Sequence, residues 1–589
     1  MVCGRGTARF RGTGRNDLGS VDPRPQRWTH RAGVITRIRT DKRGGMSIKE
    51  QQQRWRRDLP ERSRKRDRGR PILFTPDDVK ADYGKDLSFP GEYPYTRGIY
   101  PGMYAEQPWR MIQQAGYGTS DQTNDRFKFF IQEGADSASV TFDMPTVRGL
   151  DSDHPMAVGE VGQVGQPIDT LDDLRRLIDG VPLDKVHIAL LASHQGAPAI
   201  FAMFVEAAVQ AGYPAEVLRG TIQNEFLSFY QGLPRSTAYE PSCAVRLVAD
   251  TIAYCQEHVP AFIPVNVTAE IARELGATAT QELALTMANG MAYVEAAIAK
   301  GADVDRFGPQ IAFYMGVHNN FFEEVAKYRA ARRMWARIMR ERFGASNPKA
   351  WRYRVHAQEN ASTATAQQPH NNIIRGTIQA MAAVMGGVQS LDVNPFDEAL
   401  AIPTEESNRI ALRTQQILAH ESGITDVIDP MGGSYYLEWL TDQLEAGAEE
   451  ILQQLEAWGE GSMVAGVLHG IDSGYFEDSI TEEAHRHQVA VEEGEKIVVG
   501  VNKYVNEDEE TELELTVVDP ELEILQKQRL TDWKVARDDG LVERELALVA
   551  SIAKGEDNLI PPIRAAVRAG ATLGEICEVL RQSFGLWRG

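Results

Sequence analysis

Cysteine is scarce in this chain. Four occur in 589 residues, at Cys3, Cys243, Cys255 and Cys577, and their wide spacing forms no C-x-x-C pair. That argues against a disulfide framework or a zinc knuckle and suits a reducing compartment, so the expected location is cytoplasmic. No run approaches the roughly 18 uncharged apolar residues that cross a bilayer, and no membrane association is expected. Basic charge is short too: 63 Lys and Arg stand against 83 Asp and Glu, a formal net charge of −20. Phosphate backbones need concentrated Lys and Arg, so an acidic chain argues against a nucleic-acid partner. Also missing are a Walker phosphate loop, a G-x-S-x-G elbow and an H-E-x-x-H helix. His187, His194, His356 and His370 lack ligand spacing, and no metal is expected.

What is present is an ordinary globular composition, 42% apolar and 25% charged. The length suits three or four domains of common size, or fewer if one is a (β/α)8 barrel of about 250 residues. Charge is uneven. Residues 1–45 carry 11 Lys and Arg against 3 Asp and show no apolar period. The expectation there is a disordered or mis-annotated leader, with translation starting at Met46. Residues 46–90 read as an N-terminal arm. Its basic clusters, Arg54-Trp55-Arg56-Arg57 and Arg62 to Arg70, fit a solvated helix or a docking arm for an acidic partner.

From about residue 139, short β-branched runs alternate with amphipathic stretches. The runs are 139–144, 186–193, 217–223, 262–268, 309–315, 352–357 and 387–392, with an eighth placed near Val427–Ile428. Between them, 320–343 repeats Phe321, Val325, Trp335, Ile338, Met339 and Phe343 at helical intervals. Strict β-then-α alternation implies a parallel sheet, and eight repeats imply closure into a (β/α)8 TIM barrel spanning 91–437. Many expected strand ends are polar: Thr141, Ser193, Thr221, Gln223, Asn266, Thr268, Gln358, Gln389 and Ser390. Such residues let the barrel interior admit a long polar ligand, although water-capped loop starts explain any one of them equally well. Residues 438–589 read as a mainly helical C-terminal appendage, with helices at 438–458, 540–554 and 560–584, an apolar run Ile497–Tyr504 and a solvated acidic turn Asn506–Glu514.

Several long phrases are more specific. They are Tyr95-Thr96-Arg97-Gly98-Ile99-Tyr100-Pro101-Gly102-Met103-Tyr104, Phe142-Asp143-Met144-Pro145-Thr146, Asp151-Ser152-Asp153-His154-Pro155 and Gly220-Thr221-Ile222-Gln223-Asn224. Later come Gly386-Gly387-Val388-Gln389-Ser390-Leu391, Asn394-Pro395-Phe396-Asp397-Glu398-Ala399 and Asp429-Pro430-Met431-Gly432-Gly433-Ser434-Tyr435. Together, over roughly 85–586, the chain resembles the substrate-binding chain of the methylmalonyl-CoA mutase family. The resemblance implies a barrel threaded by the pantetheine arm of an acyl-CoA substrate, and a radical 1,2-rearrangement that depends on adenosylcobalamin. The Asp-x-His-x-x-Gly cobalamin motif is not found before Gly589. The resemblance is therefore to the large subunit of a split mutase, with a small cobalamin-binding subunit as partner in a heterodimer or heterotetramer.

Matched position by position, the resemblance implies that Tyr100, Pro101, Met103, Arg110, Gln113, Thr221, Ile222 and Gln223 hold the acyl-CoA, joined by Arg235 and Ile271 at the acyl end. Phe142, Met144, Val147, Val164, Gln358, Asn394, Glu398 and Ala399 are expected on the cofactor side, with Glu274 and Asn394 near a ribose. Departures matter as much. The usual Ser-Gly-Tyr-His becomes Thr268-Ala269-Glu270-Ile271, so the histidine donor to the thioester carbonyl is replaced by Ile271. An active-site aromatic becomes Gln114, two arginines become Ile112 and Gln310, and two histidines become Val147 and Asp392. Losing one such donor costs about 2.7–4 kcal/mol of transition-state stabilisation. Glu270, protonated in a low-dielectric lumen, and Gln114 are the candidate replacements, so Gln114, Glu270 and Glu274 form the expected catalytic set. The alternative is a catalytically degenerate paralogue serving as an acyl-CoA- or partner-binding scaffold.

Overall fold

The structure is a computed structural model that describes residues 47–59, 61, 71–116, 118–135, 137–232, 238–506 and 519–587. The leader expected at 1–45, the basic run Arg62 to Arg70 and nearly all of the acidic turn expected at 506–514 lie outside the described residues. The chain divides into two compact units, Met1–Arg68 and Gly69–Gly589. In the first, Ile48–Asp58 is a helix whose start is fixed by a capping box. The Ser47 hydroxyl accepts from the Glu50 amide, and the Glu50 carboxylate accepts from the Ser47 amide at 2.7 Å.

The second unit is a mixed α/β body. Its strands are β1 (Arg110–Ile112), β2 (Gln114–Ala115), β3 (Ser137–Thr141), β4 (His187–Leu191), β5 (Gly220–Ile222), β6 (Phe262–Ile263), β7 (Val265–Thr268), β8 (Ile311–Val317), β9 (Val355–Glu359) and β10 (Ser390–Asp392). They form two five-stranded sheets, ordered β1-β10-β9-β8-β7 and β2-β3-β4-β5-β6, and every pairing between them is parallel. Only Gln113 separates β1 from β2, and only Pro264 separates β6 from β7. Backbone bonds carry across both breaks: Ser139 donates to the Gln113 carbonyl at 3.3 Å, and Asn266 donates to the Gln223 carbonyl at 3.0 Å. Proline has no amide hydrogen for a ladder, so Pro264 marks a break in pairing that the chain direction survives.

The alternation read from the sequence holds for seven of the expected runs, and the eighth is corrected. Val427 is exposed and follows a short 3-10 turn at Ile424–Asp426. The remaining strand segment is instead Arg110–Ala115, ahead of all the others. It is short and carries Arg110, Gln113 and Gln114, so it shows neither β-branched enrichment nor apolar alternation. A second correction concerns 560–584, which is two helices, Ile560–Ala569 and Leu573–Phe584. Gly570 lies between them at φ 101°, a left-handed conformation that ends the first helix. The apolar run Ile497–Tyr504 forms turns closed by one bridge between Val499 and Lys503.

Helices sit between successive strands except at the β1–β2 and β6–β7 breaks, and beyond residue 435 the described regular elements are helices. They pack onto the α/β body in one continuous apolar core, in which Leu437, Leu444 and Leu455 join Val325, Tyr328 and Trp335. Among the described residues, no helix is long and apolar enough to cross a membrane.

Buried charges fix the helices around β8. Lys327, on helix Phe321–Arg337, contacts Glu282 at 2.6 Å and Glu324 at 2.5 Å, and all three side chains are fully buried. Lys327 also donates to the Gly316 carbonyl at 2.8 Å, while the Gly316 amide donates to Glu282 at 2.7 Å. Arg273 closes the cluster at 3.2 Å from Glu324. Burial pushes the Glu324 carboxyl upward, but Lys327 and Arg273 outweigh it and hold it below its ordinary range. A second set ties segments distant in sequence together: Asp429 accepts from Arg97 at 2.8 Å and from Arg329 at 2.6 Å, and Glu438 accepts from Arg329 at 2.6 Å.

A buried ion pair deprived of one partner leaves an uncompensated charge, at a cost of about 3–5 kcal/mol. Lys327→Met is therefore expected to lower the urea unfolding midpoint by that free energy. Arg486→Ala, on an exposed helix face with Glu482 and Glu483, is expected to leave the midpoint in place.

Candidate functional site: a polar lumen between the sheets

Strand side chains alternate between two faces. On one face of these strands stand Ile222, Val267, Phe313 and Leu391, which pack in the apolar core, although Phe313 also reaches the edge of the cavity described next. On the other stand Ser139, Ala189, Thr221, Asn266, Ala312, Tyr314, His356 and Ser390, which line a cavity of about 540 Å³. The register brings Ser139, Ala189 and Thr221 side by side across β3, β4 and β5. Parallel barrels usually fill such positions with bulky branched residues. Small and hydroxylated side chains leave the interior open instead.

One end of the cavity lies where the strands begin. There Arg110 opens β1, His187 opens β4 and Ser390 opens β10, while Arg354 precedes β9. All four line the space, with Tyr100, Pro101 and Met103 beside them. Arg352 lies over the Tyr100 ring at 5.3 Å. Both imidazoles are held neutral: burial lowers His187 to about 3, assisted by Arg110 and Arg354, and burial lowers His356 to about 4. Positive charge at this end therefore rests on the arginines.

Beyond the cavity, which reaches Tyr314, the residues where the strands finish are acidic and amide-rich. Gln114 donates to the Gln358 Oε1 at 2.6 Å, and the Tyr314 hydroxyl donates to the same oxygen. Gln358 donates in turn to Asn394 at 3.4 Å. Asn394 is tied to β9 through its own donations to Glu359, at 2.8 Å from the side chain and 3.1 Å from the backbone. Glu274 accepts from the amides of Ala361 and Ser362 at 2.6 and 2.8 Å, so its carboxylate holds the turn after β9. Burial, reinforced by Glu274, pushes Glu270 well above the usual carboxylate range. Burial with Asp397 and Glu274 raises Glu398 to about 7.

The expected residues thus divide. Tyr100, Pro101, Met103, Arg110 and Thr221 line the cavity, whereas Gln114 and Gln358 meet at the strand ends. Gln223 is buried and joins β4 to β7 through its backbone. Ile222 points into the core, and Gln113 is buried with its amide turned onto the Ile112 carbonyl at 3.0 Å. Ile271 is half-buried on the short helix Glu270–Glu274. Among the residues expected to face a cofactor, Met144 and Val164 are exposed apolar side chains, 39% and 74% accessible, and Ala399 is also exposed. Phe142 and Val147 are buried in the core. Arg235 lies outside the described residues. Gln389 and Ser390, read as a strand end, stand at the start of β10. Asp392 ends that strand, 3% exposed, and carried no expected role beyond replacing a histidine.

Comparison with known proteins agrees with this geometry. The methylmalonyl-CoA mutase family profile matches residues 68–586. The chain is 41% identical over 516 residues to the 2-hydroxyisobutanoyl-CoA mutase large subunit of Aquincola tertiaricarbonis, covering 87% of this chain and 90% of that one. It is 39% identical to the methylmalonyl-CoA mutase of Rhizobium meliloti, covering 87% of this chain and 71% of that one. To the methylmalonyl-CoA mutase large subunit of Streptomyces virginiae it is also 39% identical, covering 88% and 70%. The chain belongs to the methylmalonyl-CoA mutase family of isomerases.

Proposed function

We propose that this chain is the acyl-CoA-binding large subunit of an adenosylcobalamin-dependent acyl-CoA mutase. In this reading the two sheets close through the split strands β1–β2 and β6–β7 into a (β/α)8 barrel, ten segments making eight staves. The single observation that carries the proposal is the open cavity of about 540 Å³ between the strands, lined by Arg110 and Arg354 where they begin and by Ser139, Thr221, Asn266 and Tyr314 further along. Its width and lining suit a pantetheine arm, which needs apolar contact along its stem and hydrogen bonds at its amides.

Roles follow from position. Arg110 and Arg354 meet the anionic part of CoA where the strands begin. Ser139, Thr221, Asn266 and Ser390 offer hydrogen bonds along the arm. Gln114, Gln358 and Tyr314 surround the acyl end, where Glu270, pushed upward by burial, can in its protonated form donate to a thioester carbonyl in place of the absent histidine. Glu274 and Asn394 position the turns after β9 and β10.

The cofactor site is judged from this chain's own surface. Met144, Val164 and Ala399 expose apolar groups on segments that follow β3 and β10, as a flat corrin face requires, and Glu398 and Asn394 supply polar groups beside them. These residues fit adenosylcobalamin presented by a separate small subunit. The bound cofactor supplies the radical that starts the 1,2-rearrangement. The chain itself binds and orients the acyl-CoA and keeps water and other quenchers from the reacting carbon.

The test is reconstitution of the full chain with a small cobalamin-binding subunit and adenosylcobalamin, followed by assay of acyl-CoA isomerisation. No turnover across a panel of acyl-CoAs defeats the mutase reading. Independently, Ala312→Leu fills the lumen from β8 and is expected to weaken CoA binding by roughly 10-fold or more in calorimetry, with the circular dichroism spectrum unchanged.

Glu398 provides a pH test. A carboxyl raised from 4.5 to about 7 in the fold retains its proton while the unfolded chain has lost it. Stability therefore falls as pH rises from about 4.5 through 7, then levels. Relative to Glu398→Gln, the wild-type chain is expected to lose up to about 3 kcal/mol across that window, read from urea midpoints at successive pH values.

A further inference from the structure

Asp392 is the last residue of β10 and shares a face with Ser390, which lines the cavity. Its register neighbour on β9 is Gln358, the amide that already accepts from Gln114 and Tyr314. Gln114 also lies within hydrogen-bonding reach of the Asp392 carboxyl. Asp392 is thus a member of the polar layer at the acyl end of the lumen. Yet its Oδ2 is buried and has no hydrogen-bond partner among the described residues. A buried carboxyl oxygen left unpaired is costly, at about 1–3 kcal/mol, and such an orphan on the strand face that lines the cavity at Ser390 points to a group on a ligand that extends past the cavity.

Resting on the acyl-CoA reading above, we infer that Asp392 is a specificity-determining residue that pairs with a hydroxyl on the acyl group, selecting hydroxyacyl-CoA esters over acyl groups that carry a carboxylate. A hydroxyl matches the carboxyl in either of its states, since it donates to a carboxylate oxygen and accepts from a protonated acid. A substrate carboxylate matches only the protonated acid. Glu398 is close enough to raise Asp392, and Asp392 in turn raises Glu359. An anion placed among them pushes each of these carboxyls further upward in a low-dielectric space, an opposition that an uncharged hydroxyl does not meet. Burial also pushes Asp392 well above its ordinary range, which keeps a proton available for the shared bond. The Gln114–Gln358–Tyr314 triad fixes the layer, leaving Asp392 as the member with free capacity.

The experiment measures binding to the full chain by calorimetry, using CoA, two matched pairs (2-hydroxyisobutyryl-CoA with isobutyryl-CoA, 3-hydroxybutyryl-CoA with butyryl-CoA) and methylmalonyl-CoA. At least one hydroxylated ester is expected to bind roughly 10-fold tighter than its deoxy partner, and methylmalonyl-CoA to bind more weakly than isobutyryl-CoA. Asp392→Leu is expected to bring that ratio close to one, and Asp392→Asn, which keeps an acceptor and a donor, to restore part of it. A merely structural role lowers both affinities of a pair together and leaves their ratio intact; that result overturns the assignment, as does a wild-type ratio near one for both pairs or tightest binding of methylmalonyl-CoA. Failure of CoA itself to bind overturns the acyl-CoA reading and this assignment with it, whereas CoA binding without hydroxyl preference overturns the assignment alone.

Discussion

One buried ammonium group holds the ends of several elements in place. Lys327 reaches two carboxylates and a backbone carbonyl at once, on three different elements. Two of its partners, Glu282 and the Gly316 carbonyl, belong to a helix and a strand that the Gly316 amide also ties together through its bond to Glu282. Burying three charged side chains is expensive, and the arrangement is tolerable only because its charged partners are matched by one another and by backbone groups. Gly316 is the point where this constraint meets the backbone. A side chain there would drive a Cβ to 2.4 Å from the Asn360 amide oxygen, so β8 and the turn after β9 approach as closely as glycine allows.

From that cluster the geometry passes to the site in steps. Arg273 links the short helix Glu270–Glu274 to Glu324. Glu274, at the far end of that helix, holds the backbone of Ala361 and Ser362. Glu359, just before them, takes the backbone and side-chain donors of Asn394, and Asn394 accepts from Gln358. The polar layer at the end of the lumen is therefore the last link of a hydrogen-bonded chain rooted in the helical shell. Positions held this way keep their rotamers without relying on a loop, which is what orienting a reactive acyl group requires.

How much of this could be read from the sequence depends on what kind of signal each part leaves. Strands β3 to β10 announce themselves because their core-facing residues, such as Val140, Ile188, Val267 and Phe313, are apolar and flanked by helical periods. Arg110–Ala115 leaves no such trace: on its interior-facing side an arginine and a glutamine flank a single isoleucine, Ile112. The same cause misplaced Gln389 and Ser390, since polar residues occur at both ends of strands that surround a polar cavity. Site residues were legible where a phrase is long, as with Tyr100-Pro101-Gly102-Met103. The phrases do not separate binding from framework. Asp429, in the Asp-Pro-Met-Gly-Gly phrase, is consumed by Arg97 and Arg329, and Glu274, read as catalytic, spends its carboxylate on two backbone amides. Asp392 was visible only as a departure; its unpaired oxygen is a property of three dimensions.

The lumen is also a graded electrostatic environment, and this gradient does more than any single contact to define what enters it. Arg110 and Arg354 stand at the end where the strands begin, with the neighbouring histidines neutral, so the positive charge there rests on guanidinium groups. Glu270, Glu359, Asp392 and Glu398 stand beyond the other end, each pushed upward by burial. Neutral carboxyls hydrogen-bond without imposing a field, yet each resists the approach of a new anion, because an added negative charge pushes every one of them further from ionisation. A ligand with an anionic tail and an uncharged polar head therefore finds one orientation favoured along the axis, tail at the arginines and head at the acids. A ligand charged at both ends finds its second charge opposed by the same groups that would welcome a hydroxyl. Selectivity of this kind needs no charged partner for the head group and is consistent with a site where an aromatic and three histidines of the family pattern have given way to Gln114, Val147, Ile271 and Asp392.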